Sequence, residues 1–357
     1  MHETDPAILT EANRVMDICN ACRYCEGYCA VFPAMTLHRA FSEADLNHLV
    51  HLCHNCKACY YACQYAPPHP FGVNVPQAFS ALRDETYQRY AWPRPLASAF
   101  RRNGSVVSLV TTLMVTLVLV LSVLLTAPGT MGRAWTGADA FYQVIPWGVM
   151  SAVAMATLGF SALAMLRGAM QFWRETAPTT VTLRAVQRGL HDALTLKYLG
   201  GGGVGCNDRD EAFSTTRRRL HHAMAYGFLA CFAATCSGAF AAYGLGWPAP
   251  YTWFSVPVIL GTLGGLGLLV GTSGLLGLKL VTDPAPLASR VLAGDVALLG
   301  LLWVAAASGL LLLVLRATAA MPWLLAVHLG MIAALFLLLP YSKFVHGLYR
   351  TLALIAR

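Results

Sequence analysis

Six stretches of this chain are apolar over about 20 residues or more, the length needed to cross a bilayer's hydrocarbon core as a helix. They cover residues 105–127, 144–166, 222–244, 253–278, 296–315 and 322–341. Lipid offers no water to satisfy backbone N–H and C=O groups, so each stretch is expected to be helical and the fold all-α. Composition agrees: 57% of the 357 residues are hydrophobic and only 12% charged, against a quarter charged in ordinary soluble domains. Seven Lys/Arg and nine Asp/Glu precede residue 100, and 18 and 8 follow it, so the net charge of +8 comes from the apolar part. Those basic residues read as flanks of membrane spans, and a nucleic-acid partner is not expected.

Everything before residue 93 has a different character. "CNACRYCEGYC" at 19–29 has the same spacing as "CHNCKACYYAC" at 53–63, C-x2-C-x2-C-x3-C in both. No basic stub followed by an apolar run precedes the first group, so a secretory signal is not expected and the head is placed in the cytosol. Clustered thiols there hold metal more often than they form disulfides. The spacing is that of two-cluster bacterial ferredoxins, where the fourth cysteine of each run ligates the cluster held by the first three of the other. Cys19, Cys22, Cys25 and Cys63 are therefore assigned to one 4Fe–4S cluster, and Cys53, Cys56, Cys59 and Cys29 to a second. Proline usually follows the fourth cysteine; here Ala30 and Gln64 do, with Pro33 and Pro67 further on. Zinc also accepts four thiolates, but its sites pair two C-x2-C knuckles.

A connecting helix is expected over 41–52 and another over 77–87, giving a cytosolic domain 1–92, a linker 93–104 and a membrane domain 105–357. His48, His51, His54 and His69 read as surface residues or as neighbours of the clusters, because eight cysteines already complete two cubanes. With the head inside, only Arg133 and Arg316 of the 18 later basic residues fall in outer loops, which supports the same orientation.

The spans carry no acidic relay, since Asp139 and Asp295 sit at ends, and histidine remains as the ionisable candidate. His328 and His346 lie 18 residues apart; on one helix they would share a face about 27 Å apart. His346 and the pair His221–His222 are both placed at inner span ends, so a haem near the cytosolic surface is expected between His222 or His221 and His346. His328, towards the outer side, has three roles open: a second haem, a quinone contact, or a hydrogen bond to a backbone carbonyl. His191, in the long inner loop 167–220, is a further candidate ligand. That loop carries "YLGGGGVGCND", which lacks a phosphate-loop context and reads as backbone packed closely on the head or a haem edge. Cys206, Cys231 and Cys236 read as small buried residues. Arg217, Arg218 and Arg219 read as a membrane stop touching lipid headgroups, and the Gly-rich fourth span as a close helix contact.

"CNACRYCEGYCAVFPAM", "CHNCKACYYACQYAPPHPFGVNVP", "HDALTLKYLGGGGVGCND" and "HLGMIAALFLLLPYSKFVHGLYR" together resemble the tricarballylate utilisation protein B family, also called CitB, over almost the whole chain. The resemblance implies a two-cluster iron–sulfur head, of the helical kind also seen in ferredoxins and succinate dehydrogenase, on a six-helix bundle of cytochrome b type. It implies a protein of the bacterial inner membrane that reoxidises a cytosolic FAD-dependent tricarballylate dehydrogenase, through two 4Fe–4S clusters and one or two haem b groups, with quinone as acceptor. The chain shows neither a nicotinamide fingerprint nor a covalent flavin site, so a separate donor subunit is expected. The same residues would serve the opposite flow, from quinol towards a heterodisulfide-reductase-like partner, or a membrane iron–sulfur redox sensor. Paired broken spans of transporter type are not expected.

Overall fold

The computed structural model describes residues 4–99, 102–178 and 180–357. Five helices build the head. Helix α1 (Pro6–Cys22) begins where the Asp5 carboxylate accepts from the Ala7 N–H at 2.9 Å, with proline at the first position, where a missing N–H costs nothing. After α2 (Val31–Met35), α3 (Glu43–Leu52) opens on a reciprocal capping box between Ser42 and Asp45. A short α4 (Ala58–Tyr61) precedes α5 (Val75–Tyr90), which Asn74 caps by accepting from the Gln77 N–H at 3.2 Å. That cap and Pro76 start α5 two residues before the predicted point. Helices α1, α3 and α5 close on a core that includes Val15, Met16, Leu46, Leu49, Phe79 and Leu82.

The remaining helices are α6 (Asn103–Leu124), α7 (Trp147–Thr176), α8 (Leu183–Leu194), α9 (Thr216–Gly244), α10 (Val256–Val281), α11 (Leu292–Leu315), α12 (Met321–Leu338) and α13 (Val345–Ala356). Six, all but α8 and α13, are long and apolar enough to cross a membrane. Helix α12 is the axis of the bundle and packs on α6, α7 and α11; 56% of its apolar window is buried, against 6% for α9. Helices α9 and α10 form a closely apposed pair, as the Gly-rich sequence predicts. A Cβ on Gly264 would lie 2.7 Å from the backbone N of Cys231 and 2.8 Å from the carbonyl of Gly227, so only glycine permits this approach.

Two elements differ from the sequence expectation. The predicted second span stops at residue 166, where charges begin, but α7 continues without a break to Thr176 and enters the head. There Glu175 accepts from Asn47 Nδ2 at 2.7 Å and pairs with Arg89 at 3.2 Å. The second difference concerns His328 and His346, which do not share a helix. Helix α12 ends at Leu338, Pro340 sits in a 3-10 turn (Leu339–Tyr341), and Ser342 is extended before α13 turns back under the head. Proline has no N–H to continue the ladder, so the five-turn register between the two histidines is lost.

Head and bundle share one hydrophobic core. His51, Tyr87 and Tyr90 of the head meet Phe172 of α7 and Tyr349 of α13, with ring centroids 5.0 Å apart for His51–Phe172 and 5.3 Å for His51–Tyr349. His51 is 1% exposed and bonds Thr86 Oγ1 at 2.9 Å, which places it in the core and corrects its reading as a surface residue.

Candidate functional site

The first three cysteines of each run line a tight loop. Cys19 and Cys22 close the last turn of α1, and Arg23 at φ 57° swings Cys25 round beneath them. In the second run Cys53 caps α3, Asn55 (φ 55°) and Lys57 (φ 65°) turn the chain through Cys56, and Cys59 lies in α4. Burial, then Cys63, Cys25 and Cys22, pushes the Cys19 thiol up to about 12; burial, then Cys63, Cys22 and Cys56, does the same to Cys25. Burial, then Cys56, Cys53, Cys29 and Cys25, holds Cys59 well above the ordinary thiol range, and Cys29 is raised by burial and by Cys56 and Cys53. Cys63 acts on the first run and Cys29 stands beside the second, and the two groups also act on one another through Cys25, Cys56 and Cys59.

Among the described residues no three His, Cys, Asp or Glu side chains close to the spacing of a single metal ion. Four thiols would suit a multi-iron cluster, whose own charge would deprotonate them. Backbone N–H groups already point at the sulfurs: Val31 and Phe32 at Cys29, Ala58 at Cys56, Tyr65 and Ala66 at Cys63, and Asn55 at Cys53 Sγ, 3.4 Å away.

The glycine-rich loop covers the second group, as its sequence predicts. Gly201 (φ +58°) and Gly205 (φ +129°) adopt backbone that side chains resist, and a Cβ on Gly201 would stand 3.6 Å from Cys56 Sγ. Cys206 pairs with Ser214 in both directions, and the next N–H, of Asn207, donates to the Cys56 carbonyl at 3.0 Å. The Cys206 thiol is buried and donates to Leu199 O at 3.1 Å.

Between this second group and the bundle lies a cavity of about 620 Å³. Its apolar side is Met224, Leu275, Leu278, Leu298 and Leu299; its polar side includes His54, His221, His346, Arg83, Arg217 and Arg350. The His221 and His346 rings meet edge to face with centroids 6.0 Å apart and planes at 82°. His346 directs Nδ1 at the Lys343 carbonyl, and burial, then Arg350, lowers it well below the usual imidazole range. His54 directs Nδ1 at the Leu52 carbonyl at 2.8 Å, is likewise lowered by burial and Arg350, and keeps a buried Nε2 without a partner. A carbonyl-bonded Nδ1 fixes the tautomer that leaves the Nε2 lone pair available to a metal. His221 has a buried Nδ1 without a partner.

Most cations around the cavity are compensated. Lys279 and Lys343 both bind the Asp295 carboxylate, the former at 2.5 Å. Lys57 Nζ donates to the carbonyls of Asp208 (3.3 Å) and Asp283 (3.2 Å), and burial with the Arg217 charge lowers it to about 8. Arg217 donates to Asn55 O at 2.7 Å and lies 3.8 Å from Asp208, so it fastens the seam instead of reaching lipid headgroups. Arg218 donates to Thr195 O at 2.8 Å.

The other predicted histidines lie elsewhere. The His222 ring packs on Tyr226, with centroids 5.7 Å apart, outside the cavity lining. His328 on α12 makes a 3.0 Å hydrogen bond with Ser308 Oγ on α11. The His191 side chain is 71% exposed on α8, beside Asp192. Sequence reasoning passed over Arg83 and Arg350 and read His54, which is 3% exposed, as a surface residue or a neighbour of the clusters. His54 was flagged only by its place between Cys53 and Cys56, and the two arginines come from α5 and α13, far apart in the chain.

Residues 12–89 match the model of the citrate utilization protein B Fer4-like domain, and residues 99–357 match that of citrate utilization protein B. The chain is 46% identical to citrate utilization protein B of Escherichia coli over 350 residues, 97% of this chain and 90% of that protein. The chain belongs to the citrate utilization protein B family. No solved structure matches it. As a family member it combines a Fer4-like iron–sulfur head with a bundle able to span the membrane six times, an arrangement suited to electron transfer. The boundary between the two matched regions falls at the 3-10 turn Arg94–Ala99, and the cavity is lined by residues of both regions.

Proposed function

We propose that this protein carries electrons from a cytosolic FAD-dependent dehydrogenase of tricarballylate or a similar carboxylate to membrane quinone. Cys19, Cys22, Cys25 and Cys63 would hold one 4Fe–4S cluster; Cys53, Cys56, Cys59 and Cys29 the other. His221 and His346 would hold haem b. When bound, these groups supply one-electron carriers at potentials set by ligand, charge and hydrogen bonding. The chain's residues supply order and insulation: Cys22 is exposed, the second thiol group lies beneath the glycine loop, and the histidine-lined cavity is directly under that group.

The observation that carries this reading is the edge-to-face pair His221–His346 beside the cavity, whose wall residue Arg350 donates to the Cys53 carbonyl of the second thiol group at 2.7 Å. The cavity size suits a cofactor, and burial keeps His346 neutral, as ligation requires. The head faces the cytosol and the bundle lies in the bacterial inner membrane, in keeping with 16 of the 18 later basic residues falling on the head side. His328 is bonded to Ser308, so one haem, between His221 and His346, is proposed.

The test is a stepwise anaerobic reduction of the detergent-purified protein, followed optically and by EPR. Two cubane signals and a low-spin b-type haem, reoxidised by a quinone analogue, are expected. Zinc in place of iron, or no haem, would overturn the reading.

A further inference from the structure

Arg83 on α5 and Arg350 on α13 bring two guanidinium groups to the head-side wall of the cavity from opposite ends of the chain. Arg83 is 6% exposed, and its Nε and Nη2 are buried with no hydrogen-bond partner among the described residues. Arg350 gives Nη2 to the Cys53 carbonyl and leaves Nε without a partner. Burial first, and the Arg83 charge second, lowers Arg350 to about 10, so the two cations feel one another. The acidic side chains of the cavity are engaged elsewhere: Asp295 by Lys279 and Lys343, Asp208 by Arg217, and Asp84 in a contact of its own.

Two neighbouring buried guanidiniums without a counter-charge are costly to maintain. Their planar donor forks match the paired oxygens of a carboxylate. We infer that Arg83 and Arg350 form a carboxylate-binding pair in the wall of this cavity. The carboxylates come from one of two sources: the propionates of a haem seated by His221 and His346, in which case the inference rests on the proposed function, or a free polycarboxylate of the citrate class. Either way Arg350 links the bound carboxylate to the Cys53 carbonyl, and so to the second thiol group.

The test uses the full-length protein in detergent and the variants Arg83→Gln, Arg350→Gln and Arg83→Lys, with the exposed Arg39→Gln as control. Iron and sulfide content report whether each variant folds, and Arg83→Lys keeps the charge if Arg83→Gln does not. One charge-assisted hydrogen bond is worth about tenfold in affinity. If propionates are held, haem passes to apomyoglobin about tenfold faster from both glutamine variants, while citrate does not shift the wild-type melting temperature. If a free polycarboxylate is held, citrate raises that temperature, and the glutamine variants need about tenfold more of it. Should both glutamine variants match Arg39→Gln in haem transfer and in citrate response, the pair binds no carboxylate. A wild type without haem would defeat the functional reading alone, and the citrate measurement would still decide this one.

Discussion

The His221 and His346 rings meet edge to face in the wall of the cavity, with centroids 6.0 Å apart and planes at 82°, although they belong to different helices, α9 and α13. The neighbouring His222 turns to Tyr226. His221→Ala and His346→Ala should each lose most of the bound haem, whereas His222→Ala and His191→Ala should keep it. The check is haem absorbance per cubane iron. A His346→Ala protein with undiminished haem would sink the pairing.

The crossed thiol fields make a prediction of their own. Cys29→Ser should remove the same cubane EPR signal as Cys56→Ser or Cys59→Ser, and Cys63→Ser the same one as Cys19→Ser. Loss of a single common signal from Cys25→Ser and Cys29→Ser would mean that each run fills its own cluster.

Acidity should work against the clusters. The Cys19 and Cys25 thiols are raised to about 12, by burial first and then by Cys63. A thiol that holds its proton so strongly competes better with metal as pH falls, by up to about tenfold per pH unit for each proton taken up. Cluster loss to a fixed concentration of chelator, followed by visible absorbance, should therefore quicken as pH is lowered from 8 towards 6, to use round values about the histidine range. A rate independent of pH would show that protons do not compete at the ligands.

Helices α9 and α10 should tolerate no side chain at their crossing. Gly264→Leu would drive carbon into the backbone N of Cys231, only 2.7 Å from an ideal Cβ. Overpacking of this kind costs about 1–3 kcal/mol. The melting temperature in detergent should fall while the iron content of the head is unchanged, because the atoms a Cβ on Gly264 would meet belong to Cys231 and Gly227 and none to the head; an unchanged melting temperature would show that the pair can separate freely.

What the chain shows by inspection is what depends on nearby residues. The eight cysteines and six spans are local patterns of spacing and hydropathy, and among the described residues six helices are long and apolar enough to cross a membrane. The end of α7 was not legible because hydropathy stops at Arg167, while helix propensity and the buried face through Phe172 do not. Pro340 was visible but was read as lying within a span, which put His328 and His346 on one helix. The cavity could not be read at all: Arg83, Arg217 and Arg350 meet only after α5, α9 and α13 have packed, and periodicity within one element carries no information on that. Burial of His54 is hidden for the same reason, since its covering residues come from the loop after α8 and from α13.

The unbroken course of α7 fixes the mechanics of the molecule. A rod of 30 residues has one end in the bundle and the other, through Phe172 and Glu175, in the core of the head. The head is therefore a fixed bracket and not a tethered shuttle. Carriers seated in it would keep constant separations from anything held below, and electron passage through the seam would be insensitive to solvent viscosity and to the length of the 93–104 connection, set only by distances built in when the protein folds.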